Sequence, residues 1–565
     1  MTSAPVGLSP ITALSNAVVT DLAALSPMTA AYLGIPGGET ELDDLSPDGL
    51  AERNDVAVRA RAGLVAAEST GVSDDVAREV VLERLDARIE EYGSGWATAA
   101  LNVIASPLQD VRMVFDLVGK DTPEQQEQLA ARIAAVPAAL DGYRSSLLAA
   151  AASGKVSALR QVVKCAEQCA AYAGIDKDGA TGYFADLATG IDAGNPALTR
   201  ALSDAAARAD AAYGELGEFL TRELAPLAPA RDAVGEVRYA VQSRDFLGAA
   251  VDLAETYAWG WEEFLSVERE MHEVAERIAP GAGPAGAAAQ LDRDERYLLH
   301  GVDNLQAWMQ DMSDRAVAEL GRSHFEIDAP IRELACRIAP SGGVSGAYYT
   351  GPSDDLTRPG TMWWSVEPGK DTFGTWRETT TVYHEGVPGH HLQIATAVVR
   401  RDRLNDFQRL FAMTSGHAEG WALYAERLVR ELGYLDDDGD LLGLLDSQLF
   451  RSARVVIDIG MHLELEIPAG TGFHEGERWT PELGLEFLLT RTLTEPGYAR
   501  DEIDRYLGWP GQAPAYKVGE RVWRAGRADA ERRHGAAFDL KHFHTEALAL
   551  GGMGLAPLEK LLARI

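Results

Sequence analysis

Cysteine is almost missing from this chain: Cys165, Cys169 and Cys336 are the only three in 565 residues. So odd and sparse a count excludes the disulfide framework that holds small secreted domains together. Cys165 and Cys169 stand four apart in a helical pattern and share a face, with no second ligand pair nearby, so they read as buried apolar side chains rather than metal ligands. Positive charge is scarce as well. Lysine and arginine number 52 against 86 acidic residues, a net charge of −34, and none precedes Arg53. Phosphate backbones and anionic bilayers need a basic surface, so neither nucleic acid nor membrane is an expected partner. A secretory leader needs a basic start followed by an apolar run, and neither is present. No stretch approaches the ~20 apolar residues of a membrane span. On these absences the expected location is cytoplasmic. The oligomeric state is not legible.

What the chain does contain is helix pattern. GLAERNDVAVRARAGLVAAE, VAREVVLERLDARIEEY and residues 123–175 and 195–225 repeat apolar positions at three- and four-residue spacing. Thr122, Pro123 and the acidic residues behind them predict a helix start. IAPGAGPAGAAAQ (278–290) reads as a small-residue connector, either a domain boundary or a long loop. From 337 the texture turns to Gly, Pro and aromatics, and GVSGAYYTG and GTMWWSVE read as two short strands. The fold class expected is therefore mainly α with a small β-sheet.

The chemistry concentrates in TTTVYHEGVPGHHLQ (379–393) and the glutamate-rich HAEGWALYAERL (417–428). Two imidazoles and a carboxylate can hold one zinc ion per chain with a position open for water, and a further glutamate can take that water's proton. A zinc-peptidase helix usually carries its histidines four apart, on one face. Here Pro388 occupies that place, and His390 and His391 lie six and seven residues beyond His384. On a regular helix His391 returns nearer to the face of His384. Proline cannot sit in a regular helix, however, and a two-residue bulge would present His390 instead. Spacing leaves the choice open.

His-Glu-Gly-Val-Pro-Gly-His-His-Leu-Gln resembles the signature of a bacterial family known as domain of unknown function 885, which is similar to zincin-type, gluzincin-like metallopeptidases. MTAAYLGIPGGETELDDLSPDGLAER, EGWALYAE (419–426), RSARVVIDIGMH (451–462) and AYKVGE (515–520) resemble its other motifs. The family keeps the histidine directly after Pro-Gly, so the resemblance implies His390 as the second ligand. It also implies a zincin-like architecture with the sheet beside the active-site helix. Residues 286–565 would form the catalytic region and residues 1–285 a helical region walling a cleft, unless the two are one continuous unit.

Glu419 is the expected third ligand, since Gly420, Trp421 and Ala422 beside it make poor surface filler. Glu426, two turns along the same face, would orient a ligand or bind substrate. Glu385 is the expected general base, and His417 a competitor for the metal. Arg454, Asp458 and His462 form a polar line at i, i+4 and i+8 on an apolar helix. Asp458 is a candidate partner of a ligand imidazole, and His462 or Arg454 a candidate oxyanion stabiliser. Tyr516 is another, since the family keeps a Tyr-x-x-Gly there. His391, Tyr348 and Tyr349 are candidates to contact substrate, and the strand pair, with Gly343 and Gly346, could bind a peptide by strand addition. LDDDGD (435–440) resembles half a calcium loop but lacks the closing glutamate, so it reads as a solvated turn. The expected function is zinc-dependent hydrolysis of short peptides. The rivals are a zinc amidase or esterase on non-peptide substrates and a non-catalytic, metal-stabilised binding protein. Manganese or iron would also accept the ligand set.

Overall fold

The computed structural model describes residues 8–565 except 178, 192–193, 340–345 and 368. Helix accounts for 67% of the chain and strand for 4%, so functional side chains are positioned by helix–helix packing. The chain divides into two compact units, one holding Met1–Arg78, Leu85–Val241 and Asp501–Pro510, the other Glu79–Arg84, Gln242–Arg500 and Gly511–Ile565.

In the first unit two long helices, α1 (Pro123–Ala152) and α2 (Pro196–Phe219), pack against each other. α1 begins as its sequence predicts: the Thr122 side chain accepts from the Gln125 N–H, Gln125 returns the bond, and Pro123 fills the first position, where its missing N–H costs nothing. Leu129, Ile133, Leu140 and Leu147 of α1 are buried in one core with Leu202, Ala209, Tyr213 and Leu216 of α2. Cys165 and Cys169 lie fully buried in that core, as free thiols. Burial pushes the Cys169 thiol up to about 12, so it stays protonated and poorly suited to bind metal.

The second unit carries the motif helices. They are α3 (Leu253–Ile278), α4 (Val302–Ser323), α5 (Thr375–Glu385), α6 (His390–Val399), α7 (Ser415–Glu431), α8 (Asp438–Leu463) and α9 (Ala515–His534). Its largest sheet has the order β2 (Leu334–Ile338), β4 (Gly360–Trp364), β3 (Ala347–Thr350). β2 runs parallel to β4, and β3 runs antiparallel to it with Tyr349 opposite Met362. β3 and β4 are the strands expected from sequence. β2 was not expected, since LACRI mixes apolar and basic residues next to a helical pattern, nor was the pair β1 (Leu298–His300) and β5 (Thr372–Gly374), which are three residues each and too short to show alternation. The segment read as a small-residue connector is also different: Gly283–Leu291 is a helix. Pro284 lies in its first turn, where proline is tolerated, and the alanines that follow are the best helix formers. Gly343 lies outside the described residues.

α7 and α9 touch backbone to backbone. A Cβ at Gly420 would lie 2.4 Å from the Gly519 Cα, and one at Gly519 would lie 1.9 Å from the Gly416 carbonyl oxygen. The two glycines let the helices cross closely enough for side chains of α9 to reach beneath α7. Gly519→Ala should force the helices apart and cost about 1–3 kcal/mol, the usual range for overpacking, read as a lower midpoint in urea.

Candidate metal centre

α5 ends where its sequence must end it. Glu385 is its last residue, Gly386 leaves helical geometry, and Pro388 cannot continue the ladder. The Val387–Pro388 peptide is cis. The chain then folds back on itself: the Gly389 N–H donates to the Tyr383 carbonyl at 3.1 Å. A Cβ at position 389 would fall 1.9 Å from the His384 carbonyl oxygen, so only glycine fits. The indole N–H of Trp421, on α7, donates to the carbonyls of Pro388 (2.8 Å) and Gly389 (3.2 Å) and ties the break to that helix. α6 starts at His390, and the fold-back brings the His384 and His390 rings to a centroid distance of 4.7 Å.

Glu419 of α7 closes the group. Its Oε2 lies 3.3 Å from His384 Nε2 and 3.6 Å from His390 Nε2, and one donor atom from each of the three residues falls within 4.8 Å of the others. Donors bound about 2.0–2.2 Å from a tetrahedral zinc stand roughly 3.3–3.6 Å apart. The residues present therefore fit such an ion. The Glu419 side chain keeps 22% of its surface exposed, which leaves an approach from solvent. Glu385 is buried beside His384.

Glu426 reaches the other nitrogen. Its Oε1 lies 2.7 Å from His384 Nδ1 and its Oε2 accepts from the Gln448 side-chain amide at 2.9 Å. Both oxygens are occupied, so Glu426 orients the imidazole and stands outside the group of His384, His390 and Glu419. Burial opposes a charge on His384, yet the flanking Glu419 and Glu426 hold its imidazole up at about 10. Burial would likewise raise the Glu419 carboxyl, but the two histidines hold it well below its usual range. Two carboxylates about one imidazole thus favour positive charge between them.

His391 is not part of the group. Its Nε2 donates to the Ile331 carbonyl at 2.9 Å, so Nδ1 accepts from the Tyr349 hydroxyl at 2.9 Å, and the ring nitrogens fasten α6 to β3 and to the turn before β2. Tyr348 stacks on Trp363. His417 also stands apart, with Nδ1 against Gln393 and its ring near Trp523, and burial pushes it down to about 3. Asp458 accepts from the Gly511 N–H at 2.9 Å and faces His462 at 3.7 Å. It is the partner of neither ligand imidazole: His384 Nδ1 belongs to Glu426, and His390 Nδ1 has no hydrogen bond among the described residues. His462 is fully enclosed, facing Asp458. The Arg454 guanidinium lies over the rings of Phe450 and Tyr516. Tyr516 is half-buried one turn before the Gly519 crossing. Three of the four aspartates of 435–440 are engaged elsewhere, Asp437 with Tyr297, Asp438 with Arg277 and Asp440 with Thr379. Trp421 and Gln448 escaped sequence reasoning. The tryptophan had one signal, a large aromatic flanked by Gly420 and Ala422 between the two glutamates; the glutamine had none.

A profile of a family described as "Bacterial protein of unknown function (DUF885)" matches residues 27–562. No curated protein matches the sequence significantly. A "putative lipoprotein from Colwellia psychrerythraea" superposes with a TM-score of 0.83 at 20% identity over 98% of each chain. A "putative lipoprotein of unknown function from Shewanella oneidensis" does so with 0.75 at 17% identity, over 98% of this chain and 100% of its own. These show a shared fold. Lipoproteins are tethered to membranes by covalent lipid, and that description contradicts the cytoplasmic location expected from sequence. The expectation is withdrawn; it rested on a missing leader pattern, and such an absence does not define a compartment. Among the described residues no helix is long and apolar enough to cross a membrane.

Metal content separates the two adjacent histidines. His390→Ala should lose zinc binding by at least about 100-fold in chelator competition, while His391→Ala keeps it and loses stability instead. His391 also has a pH signature. Burial pushes it from 6.5 down to about 4, so the unfolded chain binds its proton more readily, and the stability it contributes is whole above about pH 6.5 and lost as the pH falls toward 4. Melting curves across that window should fall less steeply in His391→Asn than in the wild type.

Proposed function

The chain belongs to the bacterial family of unknown function DUF885, and from that premise we propose that it is a zinc-dependent hydrolase acting on peptide bonds. The observation that carries the reading is the group of two imidazole nitrogens and one carboxylate oxygen at tetrahedral spacing, with a second buried glutamate directly following the first histidine. His384, His390 and Glu419 would hold the ion. When bound, it would supply Lewis acidity to a substrate carbonyl and to water.

The remaining roles fall to the chain's own residues. Glu385 accepts a proton from the attacking water and returns it to the leaving amine. Glu426 fixes the His384 ring so that Nε2 faces the ion. Tyr516, one turn from the crossing of α9 with α7, is the proposed donor to the developing oxyanion. β3 pairs with β4 alone among the described strands, so its other edge can take an extended peptide by strand addition. The Tyr349–His391 bond ties that edge to the helix carrying His390. The ligands are recessed, which favours short or unfolded peptides over folded proteins.

A degradation screen of zinc-loaded protein against short peptides, intact casein and acyl esters tests this. Short peptides should be cleaved in preference to casein, and Glu385→Gln should lower the rate by about 10²–10⁴-fold while zinc content stays unchanged. Preferential ester cleavage would move the assignment to an esterase. Hydrolysis indifferent to Glu385→Gln would leave a metal-stabilised binding protein.

A further inference from the structure

A line of buried polar side chains on four helices leads away from the candidate metal centre. His384 on α5 meets Glu426 on α7, Glu426 meets Gln448 on α8, and the Lys517 ammonium on α9 meets the Gln448 Oε1 at 3.0 Å. Glu426 and Gln448 are 0% exposed and Lys517 1%, so water cannot substitute for a lost partner. Lys517 also donates to Glu263 at 2.7 Å and to Glu520, which occupies all three of its N–H groups.

The direction of every bond follows from the lysine. An ammonium only donates, so it must take the oxygen side of the Gln448 amide. The NH₂ of that amide is thereby turned to Glu426. A carboxylate only accepts, and its second oxygen then requires a proton on His384 Nδ1. The lone pair of a neutral His384 is left on Nε2, the nitrogen that faces Glu419 and His390. His390 Nδ1 has no comparable partner among the described residues, so this ordering acts on one ligand alone. We infer that Lys517 and Gln448 are positioning residues that set which nitrogen of His384 carries the proton, transmitting hydrogen-bond polarity through Glu426. The consequence for ion binding rests on the metal reading proposed above.

The test is a rescue. Glu426→Gln replaces the carboxylate by an amide of the same shape. With Lys517 in place, the Gln448 NH₂ still claims an oxygen at position 426, so the new amide must turn its own NH₂ toward His384. That forces the imidazole proton to Nε2, where the ion should sit, and zinc affinity measured by chelator competition should fall about 100-fold. Adding Lys517→Met releases Gln448 to flip, and the new amide can then turn its oxygen back to His384. The double variant should bind zinc at least about ten-fold more tightly than Glu426→Gln alone. A merely structural lysine predicts the opposite, since a second core substitution only adds damage. A double variant that folds, as its melting temperature would register, and binds no more tightly overturns the inference. If Lys517→Met prevents folding, Gln448→Met in the Glu426→Gln background frees the same amide and carries the same two outcomes.

A wild type that binds no zinc would sink the metal reading without deciding this one. Nitrogen-15 shifts of the His384 ring, assigned by their loss in His384→Ala, would then decide it. Recorded at alkaline pH, where the ring has lost its second proton, they should show the remaining proton on Nδ1 in the wild type, on Nε2 in Glu426→Gln and on Nδ1 again in the double variant. A pattern unchanged across the three refutes the inference.

Discussion

Glu419 and Glu426 point from one face of α7 at a single imidazole, one at each of its nitrogens. Two carboxylates in a largely enclosed pocket, with Glu385 buried close by, carry a desolvation cost that only close partners offset. The architecture of the second unit answers that constraint. His384 stands between the two acids, Gln448 takes the remaining oxygen of Glu426, and Lys517 places a full positive charge behind the amide. For Lys517 to arrive there, α9 must cross α7 in backbone contact, which is what Gly420 and Gly519 permit. Helix packing and site electrostatics are thus one problem with one solution.

The same helix supplies the other half of the geometry. Trp421, between the two glutamates in sequence, holds the carbonyls of Pro388 and Gly389 and so fixes the fold-back that carries His390 to His384. In a regular peptidase helix the two histidines share a face because four residues make about one turn. Here the helix is interrupted, and α7 does the aligning from outside. That is why EGWALYAE reads as one dense string: a carboxylate toward the candidate ion, a clamp on the loop and a carboxylate toward the ligand ring lie within two turns.

Much of this was legible in the chain. His384, His390 and Glu419, the group that could hold a metal, stand in the motifs, because ligand chemistry restricts residue type and the two segments pack such types closely. The helical character of the fold was equally legible, since three- and four-residue periodicity is a local property. Less was legible where the decisive partner lies far along the chain. Arg454, Asp458 and His462 were correctly seen as a line on one face. That Asp458 faces Gly511 rather than a ligand imidazole depends on where α9 begins. The helix at 283–291 was missed because glycine and proline were weighed above the alanines between them.

The sequence by itself determined the inventory: helices, the acidic balance, and a pair of histidines and glutamates of metal-binding type. Spacing left His390 and His391 open and the family resemblance implied His390; the tertiary structure brings His390, and not His391, to His384 and Glu419. The choice turned on a backbone reversal with no room for a Cβ at Gly389, and on an Ile331 carbonyl and a Tyr349 hydroxyl that had already claimed both nitrogens of His391. It also decided that Gln448 and Lys517 stand behind the site. Hydrogen bonds between residues 22 and 69 positions apart leave no periodicity in a chain and come into being only when the helices pack.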